Sequence, residues 1–448
     1  MCAEVAQELT VGIDIGTSSV KAVAADPDGN IVARTRVPHP WSVPSPQRFE
    51  HDAKRAWFDG TRAALAALGD IEPRGVSVAA MVPSLCAVGS DGLPVSPGLL
   101  YGDERGYTGA TSSPVESGEL AAFMRWLAAE HPDAHGYWPA QAVANYALSG
   151  DAVISTTTAS TAFPLFDWVG WDAARVERSG ARVEQLPRIA VSGQPAARVT
   201  GFADAVLEPG TIDAMGDQVV AGADNVGDVL VLLGTTLITW AVIPEPTDVA
   251  NCFTIPHTAP GTFLMGGPSN AGGLFLHWVR SIVGEPSEAP RPDRVPLWIP
   301  YPRGERVPFH DPDRRAGLHD LDLTHDAAAV RRAAVEAAGF VVRRIIESSP
   351  VPAQRIVAAG GGTRVDDWVQ ALADCTNLPV DVLAVPESGA LGTAFLARMA
   401  AGLEDSMADA RRWVRYDRRV EPDPVWVNAC EDRYGRFLQL HASGPGAH

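Results

Sequence analysis

Hydrophobic positions alternate from Val11 to Ile15, break at a short polar stretch, and alternate again from Val20 to Ala24. Val11, Ile13 and Ile15 take one face on the way out; Val20, Ala22 and Ala24 take it on the way back. Period-two alternation on both sides of a polar turn predicts a β-hairpin. A second copy of this pattern runs from Asp228 through Gly234-Thr235-Thr236 to Val242. Two such hairpins, each opening one half of the chain, predict a duplicated domain with a cleft between the halves. Chance similarity of two hairpins is the plainer alternative, since a Gly-Thr pair is common.

Other segments read by the same rules. Arg74–Met81 and Leu85–Gly89 predict strands, with a turn at Ser90-Asp91-Gly92. Helical spacing occupies Gly118–His131 and Pro139–Ala147. Asp326–Glu347 predicts an amphipathic helix with Val330, Ala334, Ala338, Val341 and Ile345 on one face, capped by Thr324 or Asp326. Arg355–Ala359 predicts a buried strand that runs into Gly360-Gly361-Gly362-Thr363, followed by a helix over Asp366–Asp374. Pro386–Arg398 opens a helix packed by small residues. Residues past 403 read as a peripheral tail that ends in a disordered Gly/Pro stretch.

Composition narrows the class. A chain of 448 residues is long enough for two or three domains. With 46% hydrophobic and 20% charged residues it reads as soluble and globular. A net charge of -18 disfavours nucleic acid and anionic membranes as partners. Five cysteines lack CxxC spacing, which argues against zinc and against a disulfide framework. The N-terminus lacks the apolar core of a secretory signal, and no run of about 18 apolar residues predicts a membrane span. The expected location is cytoplasmic.

The turns carry the chemistry. In the first hairpin, Gly16 lets backbone approach a ligand, and successive N–H groups can point at phosphate oxygens. Asp14 can hold Mg²⁺ through water. Lys21, one of two lysines in the chain, can balance phosphate charge. An ordinary hairpin with a Thr/Ser-rich turn is the alternative. Strand, triple glycine and helix at Arg355–Asp374 would let adenine or phosphate lie against backbone. Met215-Gly216-Asp217-Gln218 places Asp217 at the expected start of a helix. There it is either an N-cap or a base that takes a proton from a hydroxyl, its carboxylate stabilised by the helix N-terminus. In phosphoryl transfer, positioning and charge neutralisation dominate, so a weak base suffices.

These segments together resemble the FGGY family of carbohydrate kinases, within the sugar kinase/Hsp70/actin superfamily, over residues 10–402. Asp14–Lys21 is similar to the family's first phosphate motif, Gly216-Asp217-Gln218 to its catalytic segment, Gly234-Thr235-Thr236 to its second phosphate motif and Gly360–Thr363 to its adenosine motif. Gly102-Asp103-Glu104-Arg105, Leu165-Phe166-Asp167, Gly272-Gly273 with His277-Trp278, and Gly304–Pro308 add to the likeness. The spacing looks most like xylulokinases. The resemblance implies an α/β fold with two ribonuclease H-like domains flanking a catalytic cleft: residues 1–224 with the sugar site, first phosphate motif and Asp217, residues 225–402 with the second phosphate and adenosine motifs, and a tail at 403–448. It implies ATP and Mg²⁺ as cofactors, a small sugar as substrate and room for a homodimer.

By the same resemblance, Asp217 is the general base and Asp14 organises Mg²⁺. Gly16, Thr17, Ser18, Lys21, Gly234, Thr235 and Thr236 hold phosphates. Gly273, Gly361 and Gly362 border adenosine. Met81, Val82, Asp103 and Arg105 line the sugar end with Asp217. One departure matters: Met81-Val82-Pro83 stands where xylulokinases usually carry Met-His-Gly. Val82 cannot hydrogen-bond a hydroxyl, and losing one polar contact can change the substrate. Glycerol, ribulose or gluconate therefore stand as alternatives to D-xylulose. A sugar- or nucleotide-binding regulator without catalysis is the rival from another class; Asp14 and Asp217 together argue against it.

Overall fold

The computed structural model describes residues 8–45, 47–107, 119–259, 261–286, 288–384 and 387–442. They divide into two compact units. The first draws on residues 8–107, 119–220 and 387–413, the second on residues 221–384 and 414–442.

The first unit is built on the first hairpin, Thr10–Ile15 and Ser19–Ala25. Its turn residues Gly16-Thr17-Ser18 cannot continue the ladder, and Gly16 N–H bonds back to Ser19 O at 3.0 Å. Thr10–Ile15 also pairs in parallel with Gly75–Ala80, and Ser19–Ala25 pairs antiparallel with Ile31–Pro38. The edge is completed by Val206–Leu207 and Ala197–Arg198, and Thr211–Ile212 pairs beside Ala79 and Ala80. Every residue of Thr10–Ile15 is buried, as expected for a central strand covered on both faces.

Helix Ser388–Ala400 packs on this sheet. It approaches so closely that a Cβ at Gly12 would stand 1.8 Å from Ala390 O, and one at Gly75 2.5 Å from Ala397 O. The glycines are what the contact requires. Residues 387–402 therefore sit with the first unit although their sequence adjoins the second half.

The second unit repeats the scheme. Asp228–Leu233 and Leu237–Ile243 form the second hairpin, with Arg355–Ala359 parallel to its first strand. The sheet continues to Val380–Leu383 and Tyr416–Val420 on one side, and to Phe263–Ser269 and Phe253–Pro256 on the other. The long helix Ala327–Glu347 starts where predicted; the Asp326 carboxylate accepts from Ala329 N–H at 2.9 Å.

The peripheral tail expected past residue 403 is not what residues 403–442 form. Trp413 is buried against Phe395 in the first unit, and its indole N–H donates to Pro27 O. Helix Pro424–Ala442 buries Cys430, Tyr434, Phe437 and Leu440 in the second core. Its many charges masked that stripe: Arg433 donates to buried Glu336 at 2.7 Å, and Arg332 bridges Glu336 and Asp374 at 2.8 and 2.7 Å. Buried charges persist when paired in this way. The Gly/Pro stretch at 443–448 lies outside the described residues. Cys86, Cys252, Cys375 and Cys430 are free and buried.

Candidate active site

Three segments of the first unit converge on a pair of carboxylates. Asp14 is the penultimate residue of the first strand of the first hairpin and faces Lys21 across the ladder, so their side chains meet at 3.0 Å. Asp14 beside it raises the Lys21 pKa, which keeps the ammonium charged. Asp217 lies on the short helix Asp213–Val219. It is the fifth residue there, so it neither caps the helix nor draws on its N-terminus, contrary to the sequence-based expectation. The strand Thr211–Ile212 sets the helix in place, and Gln141 Nε2 ties that strand to its neighbour by donating to Thr211 O and Ala80 O at 3.3 and 2.9 Å.

The third segment is the start of helix Ser388–Ala400. Ser388 Oγ donates to Asp217 Oδ1 at 2.5 Å. A Cβ on Gly389 would lie 3.6 Å from Asp217 Oδ1 and 3.7 Å from Asp14 Oδ2, so this glycine sits against both carboxylates. Gly216 and Gly392 make the packing possible: a Cβ on Gly392 would stand 1.9 Å from Gly216 O. Part of Asp217 remains open to solvent, yet protein atoms crowd its carboxyl. Burial pushes its pKa up to about 7; the Ser388 hydroxyl and Lys21 oppose the rise, and Asp14 and Asp213 add to it.

The turn at Gly16-Thr17-Ser18 is held from below. Thr17 Oγ1 shares a hydrogen bond with Tyr101 Oη at 2.9 Å. His51 Nε2 lies 2.8 Å from Thr17 O, and Trp57 Nε1 lies 3.0 Å from His51 Nδ1. An indole N–H can only donate and a carbonyl only accept. His51 is therefore the neutral Nε2–H tautomer, accepting from Trp57 and donating to Thr17. Burial and neighbouring His39 lower its pKa to about 4, so it stays neutral. Sequence reasoning missed Ser388, Gly389, His51 and Trp57. Ser388 is 171 residues from its partner, and no local pattern announced the link.

The sugar-end residues divide. Met81 is buried at the end of Gly75–Ala80, and Val82 is half-buried beside it. Asp103 and Arg105 form a buried ion pair at 2.6 Å; Asp103 also accepts from Phe49 N–H, and Arg105 reaches Glu50 at 2.7 Å and stacks on Trp126. The Asp103 carboxylate is wholly enclosed. This corrects its expected place on the sugar: its lone pairs are taken by protein donors, and it organises its loop instead.

In the second unit the remaining motifs gather around Leu233. Gly273 N–H and Leu274 N–H donate to Gly234 O and Thr235 O at 2.8 and 3.1 Å, seating helix Gly273–Ile282 on the Gly234-Thr235-Thr236 turn. Gly360, with φ of 92°, turns the chain against Leu233 O, and a Cβ on Gly362 would stand 2.7 Å from that oxygen. Gly361 has open space where a Cβ would be, and Thr235 is exposed. Backbone of this kind can take a flat base or phosphate oxygens. Among the described residues no three His, Cys, Asp or Glu side chains form a metal cage. Mg²⁺ carried by phosphates needs only one or two carboxylates, so Asp14 fits it. No described helix is long and apolar enough to cross a membrane.

Hairpin-led units of this design form the two-domain actin-like fold that solved sugar kinases share. The particular family follows from comparison. Residues 9–112 match the N-terminal domain, and residues 229–401 the C-terminal domain, of the FGGY family of carbohydrate kinases. The chain belongs to that family and is a sugar kinase, a phosphotransferase. It is 22% identical to a xylulose kinase of Escherichia coli, covering 96% of this chain and 98% of the relative. It is 23% identical to a gluconokinase of Bacillus licheniformis, over 97% and 98%. The solved gluconate kinase of Lactobacillus acidophilus superposes with a TM-score of 0.81 at 21% identity, covering 98% of this chain and 99% of that one.

Proposed function

We propose that this kinase transfers a phosphoryl group from ATP, with Mg²⁺, to a hydroxyl of D-xylulose, with Asp217 as general base. The observation that carries the base assignment is the Asp217 carboxyl itself: crowded by protein atoms, beside Asp14, and pushed up to about 7 by burial. A base of that strength is matched to a sugar hydroxyl near neutral pH better than an ordinary aspartate. Its Oδ1 is occupied by Ser388, which leaves Oδ2 to take the proton. ATP with Mg²⁺ would supply the phosphoryl group and spread its charge. Lys21 and the N–H groups of Thr17 and Ser18 would neutralise phosphate oxygens, with Thr235 and Thr236 serving the same purpose from the second hairpin. Gly273, Gly361 and Gly362 would border the adenosine.

D-xylulose is favoured because xylulose kinases recur among the full-length relatives. Gluconate is the second reading, because gluconokinases match equally well and Val82 removes a polar contact at the sugar end. Sugar-stimulated ADP release over a panel of D-xylulose, D-ribulose, gluconate and glycerol tests this. Stimulation by gluconate without D-xylulose moves the assignment to the second reading; stimulation by neither overturns both. Asp217→Asn is expected to lower kcat by about 10²–10⁴ while ATP binding, measured calorimetrically, is retained. Wild-type turnover in that variant would remove Asp217 from the role.

A further inference from the structure

We propose that Ser388 is a positioning residue for catalysis, holding the Asp217 carboxylate in one rotamer so that its second oxygen faces the acceptor hydroxyl. This rests on the reading of Asp217 as the base. An ionised carboxylate is acceptor-only, so the 2.5 Å contact is a hydroxyl donating to Oδ1. Ser388 is 1% exposed, which shields that bond from competing water.

The hydroxyl is fixed by more than its own bond. Helix Ser388–Ala400 is locked to the hairpin at Gly12 and to the Asp217 helix where Gly216 meets Gly389 and Gly392. A Cβ at Gly216 would stand 2.6 Å from Gly389 O, so the two helices cannot slide without separating. The Thr393 hydroxyl donates to Gly389 O at 2.6 Å and stiffens the same turn. Asp14 and Lys21, from the first hairpin, and Asp213, from the start of its own helix, also act on the Asp217 carboxyl. Among the described hydrogen bonds, Ser388 alone ties an Asp217 oxygen to a fixed donor. A base held this way spends less of its time in unproductive orientations, which raises kcat and leaves ground-state binding untouched.

The experiment compares Ser388→Ala and Ser388→Thr in steady-state kinetics, with circular dichroism and thermal melts to establish folding. Ser388→Ala is expected to lower kcat about tenfold, the scale of one hydrogen bond to a charged group, with KM for sugar and for ATP within about twofold. Ser388→Thr keeps the hydroxyl and is expected to recover most of kcat. Should the alanine variant not fold, Ser388→Cys, of similar size and a weaker donor, takes its place. Wild-type kcat in a folded Ala or Cys variant overturns the proposal. Adding Ser388→Ala to Asp217→Asn separates the two readings. If Ser388 acts through Asp217, the double variant is no slower than Asp217→Asn. A further tenfold loss in the double variant shows that Ser388 acts elsewhere and also overturns the proposal. Wild-type turnover of Asp217→Asn alone defeats the base reading instead.

Discussion

At Asp217 burial and hydrogen bonding pull against each other. Burial disfavours the charged carboxylate and the Ser388 hydroxyl stabilises it, and burial wins, with the pKa pushed up to about 7. The sign of the pH dependence follows. A base works ionised, so kcat/KM for the sugar should rise about tenfold per pH unit up to near 7 and then level off. A profile from pH 5 to 9 that is flat below 7 would show that the carboxyl keeps an ordinary aspartate pKa. His51 lends itself to a different test. It is neutral, 2% exposed, and supplies the N–H that meets Thr17 O. His51→Phe leaves that carbonyl without its donor and should raise the KM for ATP about fivefold, through a loosened phosphate turn. His51→Gln, which can donate, should recover part of the loss. ATP titrations of the two variants decide; equal affinities in both and in the wild type would leave the relay without a role.

Elements were legible in the sequence wherever one face of a strand or helix carried the whole signal. The two hairpins alternate cleanly, so their strands and the turns at Gly16–Ser18 and Gly234–Thr236 lie where the pattern predicts them. Asp217 was found as a candidate, but the helix placement was not, because Thr211–Ile212 shifts the helix start four residues ahead of it. The Ser388 contact was invisible for a different reason: it arises where two helices nest on glycines, and helix packing over 171 residues leaves no periodic trace. Helix Pro424–Ala442 was misjudged because its apolar residues are spaced among arginines and acids whose buried pairings cannot be read locally. Its Phe437 is 0% exposed and packs on Phe340 and Tyr434. Phe437→Ala should destabilise the second unit by about 3–5 kcal/mol, measured by denaturant unfolding. A loss near zero would restore the description of this helix as an appendage.

On the scale of the whole molecule, each unit encloses one glutamate that no salt bridge neutralises among the described residues. Glu208 accepts from Ser77 Oγ at 2.6 Å and from Gly193 and Gly210 N–H at 2.8 and 2.7 Å. Glu305 accepts from Ser269 Oγ at 2.5 Å and from Asn270 and Arg306 N–H at 3.0 and 2.7 Å. These donors favour the carboxylate, but burial outweighs them and pushes both groups from 4.5 up to about 7. The folded state thus binds more protons than the unfolded state between those values, and stability from this source is present below 4.5 and lost as pH rises through 7. Histidines such as His51, whose folded pKa is lowered to about 4, act with the opposite sign between there and their ordinary value. Comparing wild type with Glu208→Gln and with Glu305→Gln cancels the histidines, which all three proteins share. Glutamine resembles the neutral acid and does not titrate. The margin by which the wild type melts above each variant should therefore be larger at pH 5 than at pH 8. A shift of this size is worth up to about 3 kcal/mol, which is several degrees in Tm. A margin that stays constant from pH 5 to 8 would mean that the hydrogen-bond donors, and not burial, set the charge of these groups.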